Sequence, residues 1–402
     1  MRKIMIVTLL LLALTVSAHG QVINNQYKLD NIGDAAINPA YLHSKKWFGL
    51  SIGIPLDVSF NSWNPSLIKK YGNKDWNDND KDVIIKATNK NHLRLTADTQ
   101  PYIGLKFGPI GLRVDAQAQA YGQIPSEVIH LMLKGNQLNE KYEFSGVNGE
   151  AAGYLGAGGI IAIPMEKFIK DPDMPPITVA ASYRYIMGLG YAEFKGDGAL
   201  ETILNDTTAG ASTNASGTFA YSTSGSGYAL DFGFSTEIND RLTIDGSVLN
   251  IGSIKWTDVQ QGTASFNGDI DLQNPEDANL ESEMSEPEPG DDITWKIPRT
   301  FRLGSSYKLT EKTILLADLS WTKSQSLGLT ARQAVGIEVA PLKFMPMQLA
   351  LIKQTKEPIR IDLAWGLRFK HSELNLSVKN ASGLVFTKSQ GIGLRIDSRI
   401  RF

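Results

Sequence analysis

Apolar and polar residues alternate with a period of two along most of this chain. Near its end, one parity carries Ile392, Leu394, Ile396, Ile400 and Phe402, interrupted only by Ser398. The other carries Gly391, Gly393, Arg395, Asp397, Arg399 and Arg401. A period of two is that of a β-strand with one greasy and one wet face. The same pattern sets Leu50, Ile52, Ile54, Leu56, Val58 and Phe60 against Ser51, Gly53, Asp57 and Ser59. Val179, Ala181, Tyr183, Tyr185, Met187, Leu189 and Tyr191 share one side of a long segment that puts Arg184 on the other. Ile359, Ile361, Leu363, Trp365, Leu367 and Phe369 oppose Arg360, Asp362, Arg368 and Lys370. Soluble sandwiches alternate too, but in strands of about 5–6 residues. These runs are longer, and many reach the ~9–11 residues that a tilted membrane strand needs.

The alternation predicts fourteen strands, at roughly 47–60, 92–107, 110–121, 152–164, 176–193, 226–238, 240–251, 298–309, 312–322, 331–340, 346–353, 358–370, 372–380 and 389–402. The connections then sort by parity. After odd-numbered strands they are mostly long: 61–91, 122–151, 194–225 and 252–297. After even-numbered strands they are mostly short, as at Gly108-Pro109, Asn239, Thr310-Glu311 and around His371, with 165–175 the exception. Membrane barrels have short periplasmic turns and long extracellular loops. The expected fold is therefore all-β: a transmembrane antiparallel up-and-down barrel of about fourteen strands, with both ends of the wall facing the periplasm.

The amino terminus fits export. Arg2 and Lys3 precede the apolar stretch Ile4 to Val16, and Ala18-His19-Gly20 offers small residues for cleavage before Gln21. That stretch is shorter than the ~20 residues a membrane helix needs. The expected division is 1–20 signal peptide, 21–46 amino-terminal hatch or periplasmic segment, and 47–402 barrel. The expected location is the outer membrane of a Gram-negative cell, with outer-membrane lipids and the barrel-assembly machinery as partners. With no Cys in the chain, disulfides and thiol chemistry are excluded. The formal charge of −2 becomes −4 once Arg2 and Lys3 leave, and no basic patch argues for nucleic acid.

Catalytic motifs are missing. His43, His92, His130 and His371 have no metal-ligand spacing, there is no H-E-x-x-H, and no G-x-S-x-G. No catalytic residue, metal or cofactor is expected, and the chain reads as a non-enzyme. Gly153, Gly156, Gly158 and Gly159 read as permitting a bend or bulge in a strand. Trp47, Trp321, Trp365, Tyr183, Tyr185 and Tyr307 lie on apolar parities and read as interfacial girdles. Segment 269–292 holds ten Asp or Glu and no Lys or Arg, and reads as a solvated loop. The candidate lumen lining is Arg113, Asp115, Arg184, Asp231, Arg360, Asp362 and Arg368, with Asp318, Glu338, Arg395, Asp397 and Arg399 on the same parity. Opposite signs within single strands can pair across the interior, or can steer a ligand head group.

Three stretches carry resemblances. A final strand ending on Phe402 resembles the membrane-insertion signal of outer-membrane barrels. The element Asn38-Pro39-Ala40, just after the signal peptide and before the first strand, resembles the hatch of the long-chain fatty-acid transporter (FadL-type) barrels. Ser247-Val248-Leu249-Asn250-Ile251-Gly252-Ser253-Ile254-Lys255-Trp256 resembles a segment of Bacteroidetes outer-membrane barrels, some secretion-associated and some of unknown function. The FadL-type resemblance implies fourteen strands, a plug within the lumen at Asn38, Pro39 and Ala40, and passive uptake of a hydrophobic or amphipathic small molecule. The competing expectation is a secretion- or assembly-associated scaffold with a protein partner at the 252–297 loop. A continuous apolar pocket between plug and wall would favour transport, and a lumen filled by paired charges would favour the scaffold.

Overall fold

The computed structural model describes residues 37–43, 47–60, 67, 70–72, 74–88, 92–169, 174–204, 209–271, 279–355, 359–381 and 392–401. The expected signal peptide, the remainder of 21–46 and Phe402 lie outside the described residues.

The first seven wall strands are β1 (Phe48–Phe60), β2 (Leu93–Thr99 and, after a break, Tyr102–Phe107), β3 (Ile110–Ile124), β4 (Val147–Pro164), β5 (Ile177–Leu204), β6 (Ser224–Glu237) and β7 (Leu242–Thr257). The other seven are β8 (Arg299–Thr310), β9 (Thr313–Ser324), β10 (Gly328–Leu342), β11 (Met345–Gln354), β12 (Arg360–Arg368), β13 (Ser372–Lys379) and β14 (Ile392–Arg401). Each pairs antiparallel with the next, and β14 returns to β1 with Gly49 opposite Arg401. The result is a closed fourteen-stranded barrel. Closure gives every wall strand two partners, so no edge is left with unpaired N–H and C=O groups.

Parity decides which way each side chain faces. On β5, Val179, Tyr183, Tyr185, Met187 and Leu189 point outward and are exposed, while Ser182, Arg184 and Ile186 point inward and are buried. On β14, Leu394, Ile396 and Ile400 are exposed, and Asp397 and Arg399 are buried. Ile52, Leu112, Phe232, Leu303, Leu319, Val335 and Leu349 continue the outer apolar surface around the ring. An apolar belt of that extent, outside a polar interior, is the surface of a protein solvated by lipid.

Two breaks in the wall are informative. In β7 the register against β6 shifts between Val248 and Ile251, with Asn250 at φ 61°. One extra residue reverses the facing of everything after it. Before the bulge Ser247 faces inward; after it Ile254 and Trp256 do, and both are completely buried. The second break lies in β2, between Thr99 and Tyr102. Continuing the register sets Pro55 of β1 opposite Gln100 and Ile54 opposite Pro101. Neither proline can donate to the ladder. The Thr99 hydroxyl bonds the Pro55 carbonyl at 2.7 Å instead.

At the long-loop end the strands outrun the alternation. β5 continues to Leu204 and pairs with a strand Ala209–Ser222, which pairs in turn with Gln260–Asp271, and that strand with Asn279–Met284. Segments 194–225 and 252–297, expected as loops, therefore contain much of a sheet that stands above the barrel. Alternation marks a strand only where its two faces meet different solvents. Beyond the lipid both faces are wet, and Ser, Thr, Gly and Ala can pair through their backbones alone. Two other connections hold helices, α1 (Asp78–Thr88) and α2 (Ser126–Lys134), which pack together with Lys134 Nζ 2.6 Å from Asp82. The start of α1 is closed by a reciprocal cap, Asp80 N to Asn77 Oδ1 at 2.9 Å and Asn77 N to Asp80 Oδ2 at 3.2 Å.

Candidate functional site: the lumen

Residues 37–43 lie inside the barrel. Pro39–Leu42 form one 3-10 turn, started by Asn38, whose Oδ1 accepts from Ala40 N at 3.0 Å. Pro39 sits at the first position of the turn, where its missing N–H costs nothing. Asn38 is completely buried, and its Nδ2 donates to the Phe234 carbonyl of β6 at 2.9 Å. The Ser247 hydroxyl donates to the Ile37 carbonyl at 2.7 Å. Ala40 and Leu42 pack on inward-facing Ile160, Ala162 and Ala180. Gly233 makes the seat possible: a Cβ there would lie 2.0 Å from Asn38 Oδ1.

The seven candidate lumen residues all face inward, in two groups. Arg113 Nε is 3.2 Å from Asp115, Arg184 Nη1 is 3.2 Å from Asp115, and Arg184 Nε is 3.6 Å from Asp231. Asp231 also accepts from Asn250 N at 2.7 Å and the Ser182 hydroxyl at 3.1 Å. Gly158 of β4 makes room beside this group, since a Cβ there would meet the Tyr183 carbonyl oxygen at 2.0 Å. Arg360 pairs with Asp362 at 3.5 Å, and Arg368 with Glu373 at 3.0 Å. Arg395 pairs with Asp397 at 2.5 Å, and Arg399 lies 3.9 Å from Glu373.

Of a further group, between the first two, the reading of the sequence named only Asp318 and missed Asp245, Arg302 and Arg332. Arg302 of β8 bridges Asp245 of β7, at 2.5 Å, and Asp318 of β9; Arg332 of β10 also holds Asp318, at 2.8 Å. Arg302 donates to the Tyr41 hydroxyl at 3.3 Å, with the guanidinium 6.0 Å from the ring centre. Parity was signal enough for Arg302, which stands between outward-facing Phe301 and Leu303. Asn250, which meets Arg184, carried no such signal, because only the bulge turns it inward.

Glu338 of β10 is completely buried, and neither carboxyl oxygen has a hydrogen-bond partner among the described residues. An unpaired buried carboxyl is a cost to the fold. Glu338→Met is expected to stabilise the barrel by about 1–3 kcal/mol, read as a higher urea midpoint for loss of the compact gel band. A lower midpoint would mean that the carboxyl has a stabilising role.

Above these pairs, towards the long-loop end, is a cavity of about 220 Å³. It reaches from Thr96 and Gln119 on one wall to Ser320 and Thr322 on the other, with Arg332 in its lining. Apolar side chains cluster elsewhere. Tyr154, Ile186, Tyr191, Trp256 and Trp295 pack in one buried group, and Ile314, Leu316, Ala334, Ala350 and Ile352 in another.

The family model described as "Family of unknown function (DUF5723)" matches residues 39–337. No curated protein matches the chain. Among solved structures, the toluene transporter TbuX of Ralstonia pickettii aligns with a TM-score of 0.51 at 10% identity, covering 92% of this chain and 94% of that one. The toluene transporter TodX of P. putida aligns at 0.48 and 10% identity, covering 92% and 94%. The monoaromatic hydrocarbon channel CymD aligns at 0.48 and 10% identity, covering 95% of each chain. Identities this low speak to the fold alone.

Proposed function

The chain belongs to the DUF5723 family, a family of unknown function, and we propose that it is an outer-membrane barrel that passively takes up small hydrophobic or amphipathic molecules. The observation that carries this reading is the order of features along the barrel. A cavity lies towards the long-loop end, paired charges fill the lumen below it, and the two-proline break of β1 and β2 is near Ala97 and Asp98 in the cavity lining. A solute entering the cavity meets charged pairs along the axis, where an apolar group would be poorly solvated. The seam between β1 and β2 beside it carries two prolines that donate no ladder bond, with Ile54 exposed on its outer face. That arrangement suits sideways release into the membrane. Residues 37–43 then act as the hatch, with Asn38, Pro39 and Ala40 holding the turn closed against the wall.

The test is uptake of toluene and a medium-chain fatty acid into proteoliposomes. Uptake several-fold above protein-free liposomes is expected, and a rate equal to that background would end the transport reading. In cells, a protease site placed within 279–292 should be cut from outside. Protection there, with cleavage near 311 or 371, would mean the opposite orientation.

One observation favours a second reading, a secretion- or assembly-associated scaffold: the candidate lumen charges are paired with one another or with neighbouring carboxylates inside the barrel. Mass spectrometry of the protein purified in mild detergent separates the two. A stoichiometric protein partner with no retained small molecule supports the scaffold.

A further inference from the structure

The cavity has a chemistry of its own. Nine of its twenty-one lining residues are Ser or Thr, with Gln119, Gln354 and Tyr121 beside them. Its charges balance, Arg94 and Arg332 against Asp98 and Glu150. Several are already engaged: Arg332 with Asp318 at 2.8 Å, Arg94 with Gln123 at 2.8 Å, and Glu150 with the Trp295 indole at 3.0 Å. They add polarity without a net demand for an ion. Ser320 is different. It is only 5% exposed and lines the cavity. Thr300 and Thr322 are bonded to each other at 2.9 Å, which leaves each with acceptor capacity to spare.

We propose that this cavity is a binding site for a neutral, polyhydroxylated group of about one ring, such as a sugar. The inference rests on the amphipathic side of the transport reading, in supposing that the bound molecule goes on to cross the membrane, and not on its hydrocarbon side. The neutral hydroxyls and amides of the lining reward a ligand that both donates and accepts, and the apolar surface between them suits the C–H face of a ring. A hydrocarbon would leave those groups unpaired, at a cost. An added anion or cation would meet a lining whose charges cancel in sum. The volume, about 220 Å³, lies below the ~300 Å³ lower end of drug-sized sites. A single ring suits it and a long chain does not. The hydroxylated ring could be a free sugar or the head of an amphipath whose tail reaches the wall, and the chemistry recognised is the same.

The test uses the full chain in lipid nanodiscs, with saturation-transfer NMR and titration calorimetry. The probes are methyl α-D-glucopyranoside, its uronate analogue, octyl β-D-glucopyranoside below its micelle concentration, and toluene. The neutral glycosides are expected to bind, the uronate at least tenfold more weakly, and toluene not to displace them. Equal affinity of the two glycosides identifies a free solute, and much tighter binding of the octyl compound identifies a lipid-like one. Ser320→Ala should weaken binding about fivefold, the worth of one hydrogen bond. Thr300→Val with Thr322→Val should do at least as much, with an unchanged heat-modifiable gel shift as proof of folding. Absence of glycoside binding, displacement by toluene, or affinities untouched by these substitutions would overturn the proposal. Toluene uptake into proteoliposomes without glycoside binding would sink this inference and leave the transport reading standing. Glycoside binding without uptake would do the reverse.

Discussion

Replacing Arg302 by methionine should lower the stability of the barrel by about 3–5 kcal/mol, the cost of leaving buried carboxylates without their cation. Arg302 is completely enclosed by its partners: Asp245, Asp318 and the Tyr41 hydroxyl all lean on it. Asp318 keeps Arg332, while Asp245 loses the guanidinium that lies against it. The measurement is the urea midpoint at which the compact, heat-modifiable form is lost. Restoring neutrality should recover much of the loss, because an apolar group in place of a whole buried pair is often tolerated. Arg302→Met with Asp245→Leu should therefore be more stable than Arg302→Met alone. A shift below about 1 kcal/mol for the single variant would show that the bridge contributes little.

Gly233→Val should open the barrel without unfolding it. The wall needs no glycine at that position, since strand residues there face the lumen in ordinary extended backbone. The 37–43 segment does need it. A valine Cβ would stand 2.0 Å from Asn38 Oδ1 and 2.9 Å from Pro39 Cδ. Displacing residues 37–43 forfeits three hydrogen bonds to the wall, from Asn38, Ser247 and Arg302, worth about 2–4 kcal/mol together. Planar-bilayer conductance should rise well above that of the parent protein, with an unchanged gel shift. Unchanged conductance in a folded variant would remove the hatch role from this segment.

How much of this was legible in the sequence depended on the solvent at each strand face. Where lipid lies outside and water or charge inside, the two parities differ and the strand declares itself. Hence all fourteen wall strands have counterparts among the predicted segments, including the β2 segment that Pro101 interrupts. The upper halves of β5 and of the strands that follow it have water on both sides, and there Ser/Thr/Gly/Ala pairing read as loop. The inward facing of Arg113, Arg184 and Arg360 was legible from parity alone. Their particular partners were not, because Arg184 reaches Asp115 across β4 and Asp231 on β6, and such choices depend on register between strands. The bulge at Asn250 also hid a change of facing. Trp256 shares its parity with Val248, which lies before the bulge, yet it is completely buried inside. Nothing in the alternation distinguishes it from a residue of the outer girdle.

The pairing of β1 with β14 also sets an order of events. Gly49 to Val58 cannot complete the wall until Ile392 to Arg401 has reached the same place. Until then the first strand keeps an edge that only a very distant part of the chain can cover. Non-local pairing of this kind is slow, because loop closure must precede the contacts that reward it. An open apolar strand edge in water is also a template for aggregation. The first wall strand therefore stays an open template for the whole interval before the last one arrives. Truncation within β14 should trap it at that stage, as an edge-exposed sheet recovered with chaperones or degraded.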